Sequence, residues 1–111
     1  MIEVNIYRQT DERIIGFRVS GHAHYDDPGK DIVCAAVSAV TVGAVNAVES
    51  LAGVVSETVM EPGLLHVQLP SIAAAGTAEK TQTILETMEQ MLLSIADSYG
   101  EFVQIVNAVI E

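Results

Sequence analysis

The sequence predicts an α+β fold, a two-layer sandwich in which a mostly antiparallel five-stranded sheet carries two helices on one face. Three observations predict it. Short period-two apolar stretches open the chain, and two longer segments begin near Asp31 and Thr77 with helical patterns. The resulting order is strand, strand, helix, strand, strand, helix, strand, without the strict alternation of a parallel α/β sheet. A length of 111 residues with 50% hydrophobic content suits one domain over 1–111 with one core.

Ile2, Val4 and Ile6 alternate with Glu3, Asn5 and Tyr7, the mark of a half-buried strand. After polar Gln9 to Arg13, the β-branched and aromatic run Ile14 to Val19 returns as the second arm of a hairpin and ends near Ser20 and Gly21. The stretch Gly21 to Lys30, with its Pro28-Gly29 pair, reads as an irregular loop. Asp31 is placed to cap the first helix, which runs through an Ala/Val-rich stretch to about Ala52 and stops at Gly53. Val54 to Val59 and Leu64 to Leu69 flank Glu61-Pro62-Gly63 as a second hairpin, closed by Pro70. From about Thr77 to Asp97, the spacing of Ile84, Met88, Met91, Leu92 and Ile95 predicts an amphipathic helix with those residues on its buried face. Tyr99-Gly100 ends it, and Phe102 to Ile110 has the composition of a last strand.

Composition narrows the function. With 15 acidic and 5 basic side chains the formal net charge is −10, the wrong sign for gripping phosphate backbones, so direct nucleic-acid binding is not expected. The same charge attracts a basic peptide or protein. One cysteine makes no intrachain disulfide, and the start Met1-Ile2-Glu3-Val4 lacks the basic and then apolar regions of an export signal, so a cytoplasmic location is expected. Ile32 to Val48 carries no charge, but it falls short of the roughly 20 apolar residues of a spanning helix and includes Ser38, Thr41, Gly43 and Asn46. A buried helix is the expectation, not a membrane span. So apolar a helix has more surface to bury than one sheet contact supplies, which favours a symmetric dimer over coverage by the second helix alone.

By residue type, Cys34 followed by Ala35, Ala36 and Val37 reads as ordinary core sequence. Its position argues otherwise. With Asp31 as cap, Cys34 lies in the first helical turn, where unpaired amides and the helix dipole favour a thiolate. His22 stands at a strand end, across the loop from Cys34, and a Cys-His pair performs nucleophilic attack and proton transfer. Amides of the helix start, including that of Cys34, are the expected oxyanion donors. Gly21 and Gly29 flank the loop and give it freedom to close over a peptide. Tyr25 is placed to touch an apolar peptide, and Asp26 and Asp27 read as a solvated acidic pair.

Gly21-His22-Ala23, a short variable loop, then Gly29-Lys30-Asp31-Ile32-Val33-Cys34-Ala35-Ala36-Val37-Ser38 resembles the signature of the ribosomal-processing cysteine proteases. The similarity continues through Val45-Asn46-Ala47 and the helix end at Leu93 to Tyr99. The resemblance implies a cysteine endopeptidase that removes the N-terminal extension of a large-subunit ribosomal protein, and it implies a homodimer. It carries the catalytic roles onto His22 and Cys34, with Asp31 and Ser38 as supporting positions. Asp31 orients His22, caps the helix or does both, the cap being favoured; Ser38 lies on the helix face of Cys34 and bonds, lines the site or packs. No cofactor is implied.

Three rivals stand beside this reading, one of them another Cys-His hydrolase or acyl transferase using the same pair on a different acyl group. His22, His24, Cys34 and an Asp supply zinc-type ligand atoms, but strand-like alternation would point the two imidazoles apart, so no metal is expected. The alternative from another class is a non-catalytic dimeric ribosome-assembly factor that only binds the ribosomal protein.

Overall fold

The computed structural model describes residues 1–110. Strands β1 (Ile2–Arg8) and β2 (Ile14–Gly21) form the first hairpin and helix α1 spans Ile32–Ala52. Strands β3 (Glu57–Glu61) and β4 (Leu64–Gln68) form the second hairpin, α2 spans Ala75–Ser98, and β5 is Val103–Val109. The sheet order is β3-β4-β2-β1-β5. Each neighbouring pair is antiparallel except β1 with β5, which runs parallel and makes the sheet mixed.

Strand register sorts the side chains onto two faces. Ile2, Val4 and Ile6 lie opposite Gly21, Val19 and Phe17, and those β2 residues continue the row to Leu65 and Val67. This row is the core side. The alternate positions Glu3, Asn5, Arg18 and His66 remain open on the other side, so both helices cover one face as expected. On α1 the buried residues are Val33, Val37, Thr41, Ala44 and Val48, a single stripe at helical spacing. Thr41 is tolerated there because its hydroxyl donates to the Val37 carbonyl at 2.8 Å. The helix is long and apolar enough to cross a membrane, but its stripe packs into the sheet core. Ile32 and Leu51 stay 54% and 64% exposed, so α2 does not cover α1 by itself.

Three expectations are corrected. Strand β3 begins at Glu57, not Val54: Gly53 closes α1 in a left-handed conformation, its N–H and that of Val54 bond back to Glu49 and Val48, and Val54 drops into the core instead of joining the sheet. Helix α2 begins at Ala75 and buries Thr81, Leu85, Met88, Glu89 and Leu92. Met91, expected inside, is 52% exposed. The buried face is rotated because Glu89 meets Arg8 there, with Nη2 to Oε1 at 2.7 Å, while Arg8 also reaches Glu86 at 2.9 Å and Asn107 at 2.8 Å. The hydrogen bond to Glu86 is the largest influence on this guanidinium; against the cost of burial, it and the charges of both glutamates push the Arg8 pKa up. Beside this network Gln82 satisfies both the N–H and C=O of Ile14 at 2.8 Å, where β1 and β2 slip register.

Candidate active site

The site gathers where β2 ends and α1 begins. Asp31 is an N-cap, as expected: its Oδ1 accepts the N–H groups of Val33 and Cys34, both at 3.0 Å. Its Oδ2 turns to the loop and accepts from Tyr25 at 2.9 Å and Asp26 at 3.4 Å. Burial opposes charge on this carboxyl. The N–H groups of Cys34, Tyr25 and Asp26, with the Cys34 side chain, outweigh it and hold Asp31 below the usual aspartate range. Asp31 makes no hydrogen bond to His22 among the described residues, so the geometry is that of a cap that also ties down the loop.

This cap overturns one expectation. The amide of Cys34 already donates to Asp31, as does that of Val33, so neither is free to serve as an oxyanion donor in this conformation. The amide directed at the sulfur belongs instead to Ala23, whose N–H lies 3.4 Å from Cys34 Sγ. Cys34 is partly buried and free, in the first turn of α1. It therefore combines a helix-start position with one N–H donor on the sulfur.

His22 is exposed and does not bond to Cys34 among the described residues. Its ring rests on the turn between β3 and β4: a Cβ added at Gly63 would stand 2.8 Å from Nε2. Gly63 takes φ +74° and its carbonyl accepts the N–H of Gly21 at 2.9 Å, which anchors the end of β2 to this turn. Gly21 has φ +89°, and a Cβ there would strike the Met1 carbonyl. Its glycine answers a close approach rather than providing the loop freedom expected of it. Gly29, at φ +85° with open space around it, needs glycine for its backbone conformation alone. Ser38 is exposed one turn beyond Cys34, and its hydroxyl makes no hydrogen bond among the described residues.

The loop holds two further surprises. His24 has left strand geometry for a left-handed φ of +56°, so its ring does not point away from His22 but lies 6.0 Å from it, centre to centre. Tyr25 is 43% exposed, and its ring also packs on the molecule, meeting Phe102 edge-on at 5.2 Å and Tyr99 at 5.7 Å. Among the described residues no group of three His, Cys, Asp or Glu side chains is arranged to hold a metal ion. Sequence reasoning missed Ala23 and Gly63, because one acts through its backbone and the other through a tertiary contact; Gly63 read only as a turn residue.

A cavity of about 540 Å³ lies at the other end of the sheet, among Tyr7, Ile15, His66, Leu69, Ile72 and Ile110. It contains none of the loop residues. The candidate site is placed at Cys34 because its thiol is a nucleophile-type side chain at a capped helix start, not by cavity size.

A thiol at a capped helix start, with an amide on its sulfur and a histidine loop beside it on a two-layer α+β frame, defines a candidate cysteine hydrolase. The chain belongs to the cysteine protease Prp family, whose model matches residues 1–104. It is 33% identical over 112 aligned positions to the ribosomal processing cysteine protease Prp of Bacillus subtilis, covering 99% of this chain and 100% of that one. The Staphylococcus aureus protein of the same description is 30% identical, over 95% of this chain and 97% of its own. The fold agrees: a crystal structure of the S. aureus Prp with a covalently linked product peptide superposes with a TM-score of 0.87 at 29% identity, over 97% of this chain and 100% of that one. A second, with a substrate peptide, has a TM-score of 0.81 at 28% identity and the same coverage.

Proposed function

We propose that this chain is a cysteine endopeptidase that removes the N-terminal extension of a large-subunit ribosomal protein, with Cys34 as nucleophile and His22 as general base and acid. The observation that carries the residue assignment is the placement of Cys34 Sγ in the capped first turn of α1, 3.4 Å from the Ala23 N–H, within a chain of the Prp family.

In the first half-reaction the sulfur attacks the scissile carbonyl carbon, and His22 holds the thiol proton. The tetrahedral intermediate collapses, the C–N bond breaks, and His22 delivers that proton to the leaving amine. Water, deprotonated by His22, then cleaves the thioester and frees the extension as a carboxylate. This chemistry requires the His22 ring to leave the Gly63 turn and approach the sulfur. The net charge of −10 favours a basic peptide substrate.

The protein works as a homodimer in the cytoplasm in this reading. Exposed Ile32 and Leu51 on α1, together with Met91 and Leu93 on α2, leave apolar surface for a second copy to bury. The acidic composition and single free thiol suit a reducing compartment.

Incubation of the purified protein with the extended N-terminus of the ribosomal protein, read by mass spectrometry, tests the proposal. One internal cut that disappears in Cys34→Ala supports it. Binding without cleavage by the folded wild-type chain would move the reading to a non-catalytic assembly factor.

A further inference from the structure

The loop between His22 and Cys34 is fixed at few points. Ala23 is buried, at 3% exposure, and its N–H meets the sulfur. From His24 to Lys30 every residue is exposed, and apart from Tyr25 no side chain of that segment bonds outside the loop among the described residues. Within it, Lys30 N–H bonds to the Asp27 carbonyl and Asp27 N–H to the Asp26 carboxylate, contacts that shape the loop without attaching it.

Tyr25 is the exception. Its ring lies edge-on against both Tyr99 and Phe102, while its N–H and that of Asp26 both donate to Asp31 Oδ2. Those two rings stand on a stiff support. The Tyr99 carbonyl accepts the N–H groups of Phe102 and Val103, at 2.8 and 3.2 Å, and the Phe102 carbonyl accepts the N–H of Ile2 at 2.8 Å, which joins the turn to β1. The ring of Tyr25 is therefore anchored to the end of α2 and the start of the sheet's parallel pair.

We infer that Tyr25 is a positioning residue for the reaction: docked against Tyr99 and Phe102, it holds the loop so that the Ala23 N–H stays on Cys34 Sγ. The inference rests on the peptidase reading of Cys34 and His22. Tyr25 touches no reacting atom; it acts through the backbone on either side of His24. His24, at a left-handed φ of +56°, makes the turn that lies between the Ala23 and Tyr25 anchors. Edge-on ring pairs supply the attraction and need no hydroxyl, so phenylalanine satisfies the site as tyrosine does.

The test compares wild type, Tyr25→Ala and Tyr25→Phe by amide hydrogen exchange and by steady-state cleavage of the extended peptide. In Tyr25→Ala the amides of Ala23 and Tyr25 exchange about tenfold faster, the size expected from losing two aromatic contacts, while the amides of β1 and α2 keep their protection. The same variant loses about tenfold in kcat with KM within about twofold, since the loss is of geometry at the sulfur rather than of peptide binding. Tyr25→Phe restores both readouts. Unchanged exchange at Ala23 and Tyr25, an unchanged kcat, or faster exchange spread through β1 and α2 would each overturn the inference. A wild-type chain that binds peptide without cutting it counts against the peptidase reading, and the exchange measurement still decides the anchoring.

Discussion

The two ends of the sheet handle polar groups in opposite ways. At the Arg8 end, charges pair at the rim of the core: Arg8 joins β1 to half-exposed Glu86 and buried Glu89 on α2 and to Asn107 on β5. Gln82 closes the slipped register beside them. At the Gly21 end the partners are backbone amides: Ala23 on the partly buried Cys34 sulfur, and Val33, Cys34, Tyr25 and Asp26 on the buried Asp31 carboxylate. The first arrangement uses side chains to bind both side chains and backbone groups across β1, β5 and α2. The second leaves the His22 imidazole resting on a glycine turn, without a hydrogen bond among the described residues. One end holds the fold and the other keeps a reactive group available.

Breaking each end separately should give different signatures. His22→Ala is expected to lower kcat by about a thousandfold, the scale of lost general acid–base catalysis, with the thermal midpoint unchanged; steady-state kinetics and a melt check both halves. Arg8→Ala should do the reverse. It strands Glu89, whose side chain is 8% exposed, and is expected to cost about 3 kcal/mol in urea unfolding while the folded fraction keeps its kcat.

Gly63→Ala probes the junction where the sheet meets the site. The added methyl at φ +74° is strained and presses on His22, so about 1 kcal/mol of stability and a several-fold loss of kcat/KM are expected together. The smallest effect concerns pH. Asp31 has its folded pKa lowered, so its contribution is fully present above the ordinary aspartate value and is lost as pH falls through the lowered folded value. Melting curves of wild type and Asp31→Asn should therefore converge on acidification below about pH 4, the usual aspartate range, and stay apart at neutral pH.

Much of this contrast was legible in residue order, and the failures have particular causes. Alternation at Ile2, Val4 and Ile6 located the first strand because one face is buried and the other open. Asp31 and Gly53 bracketed α1 because cap chemistry is local. The buried face of α2 was misread because Glu89 enters the core only through Arg8, a partner 81 positions away. Val54 looked like strand by composition, yet a helix terminator claimed its N–H. At the site, Cys34 and His22 were visible as residue types in a spaced motif. Invisible were the Ala23 amide, the Gly63 seat of the imidazole and the Tyr25 anchor, since each depends on which chain segments meet. The oxyanion expectation failed for a related reason: one carboxylate oxygen takes both helix-start amides that the sequence seemed to leave open.

The central claim is that Cys34 attacks the peptide bond. It is tested most directly by quenching the wild-type reaction with acid during turnover and mapping the protein by mass spectrometry. The account predicts the N-terminal extension attached as a thioester to the peptide containing Cys34, and released by hydroxylamine. Attachment at any other residue, or undiminished cleavage by Cys34→Ala with no adduct, would contradict it.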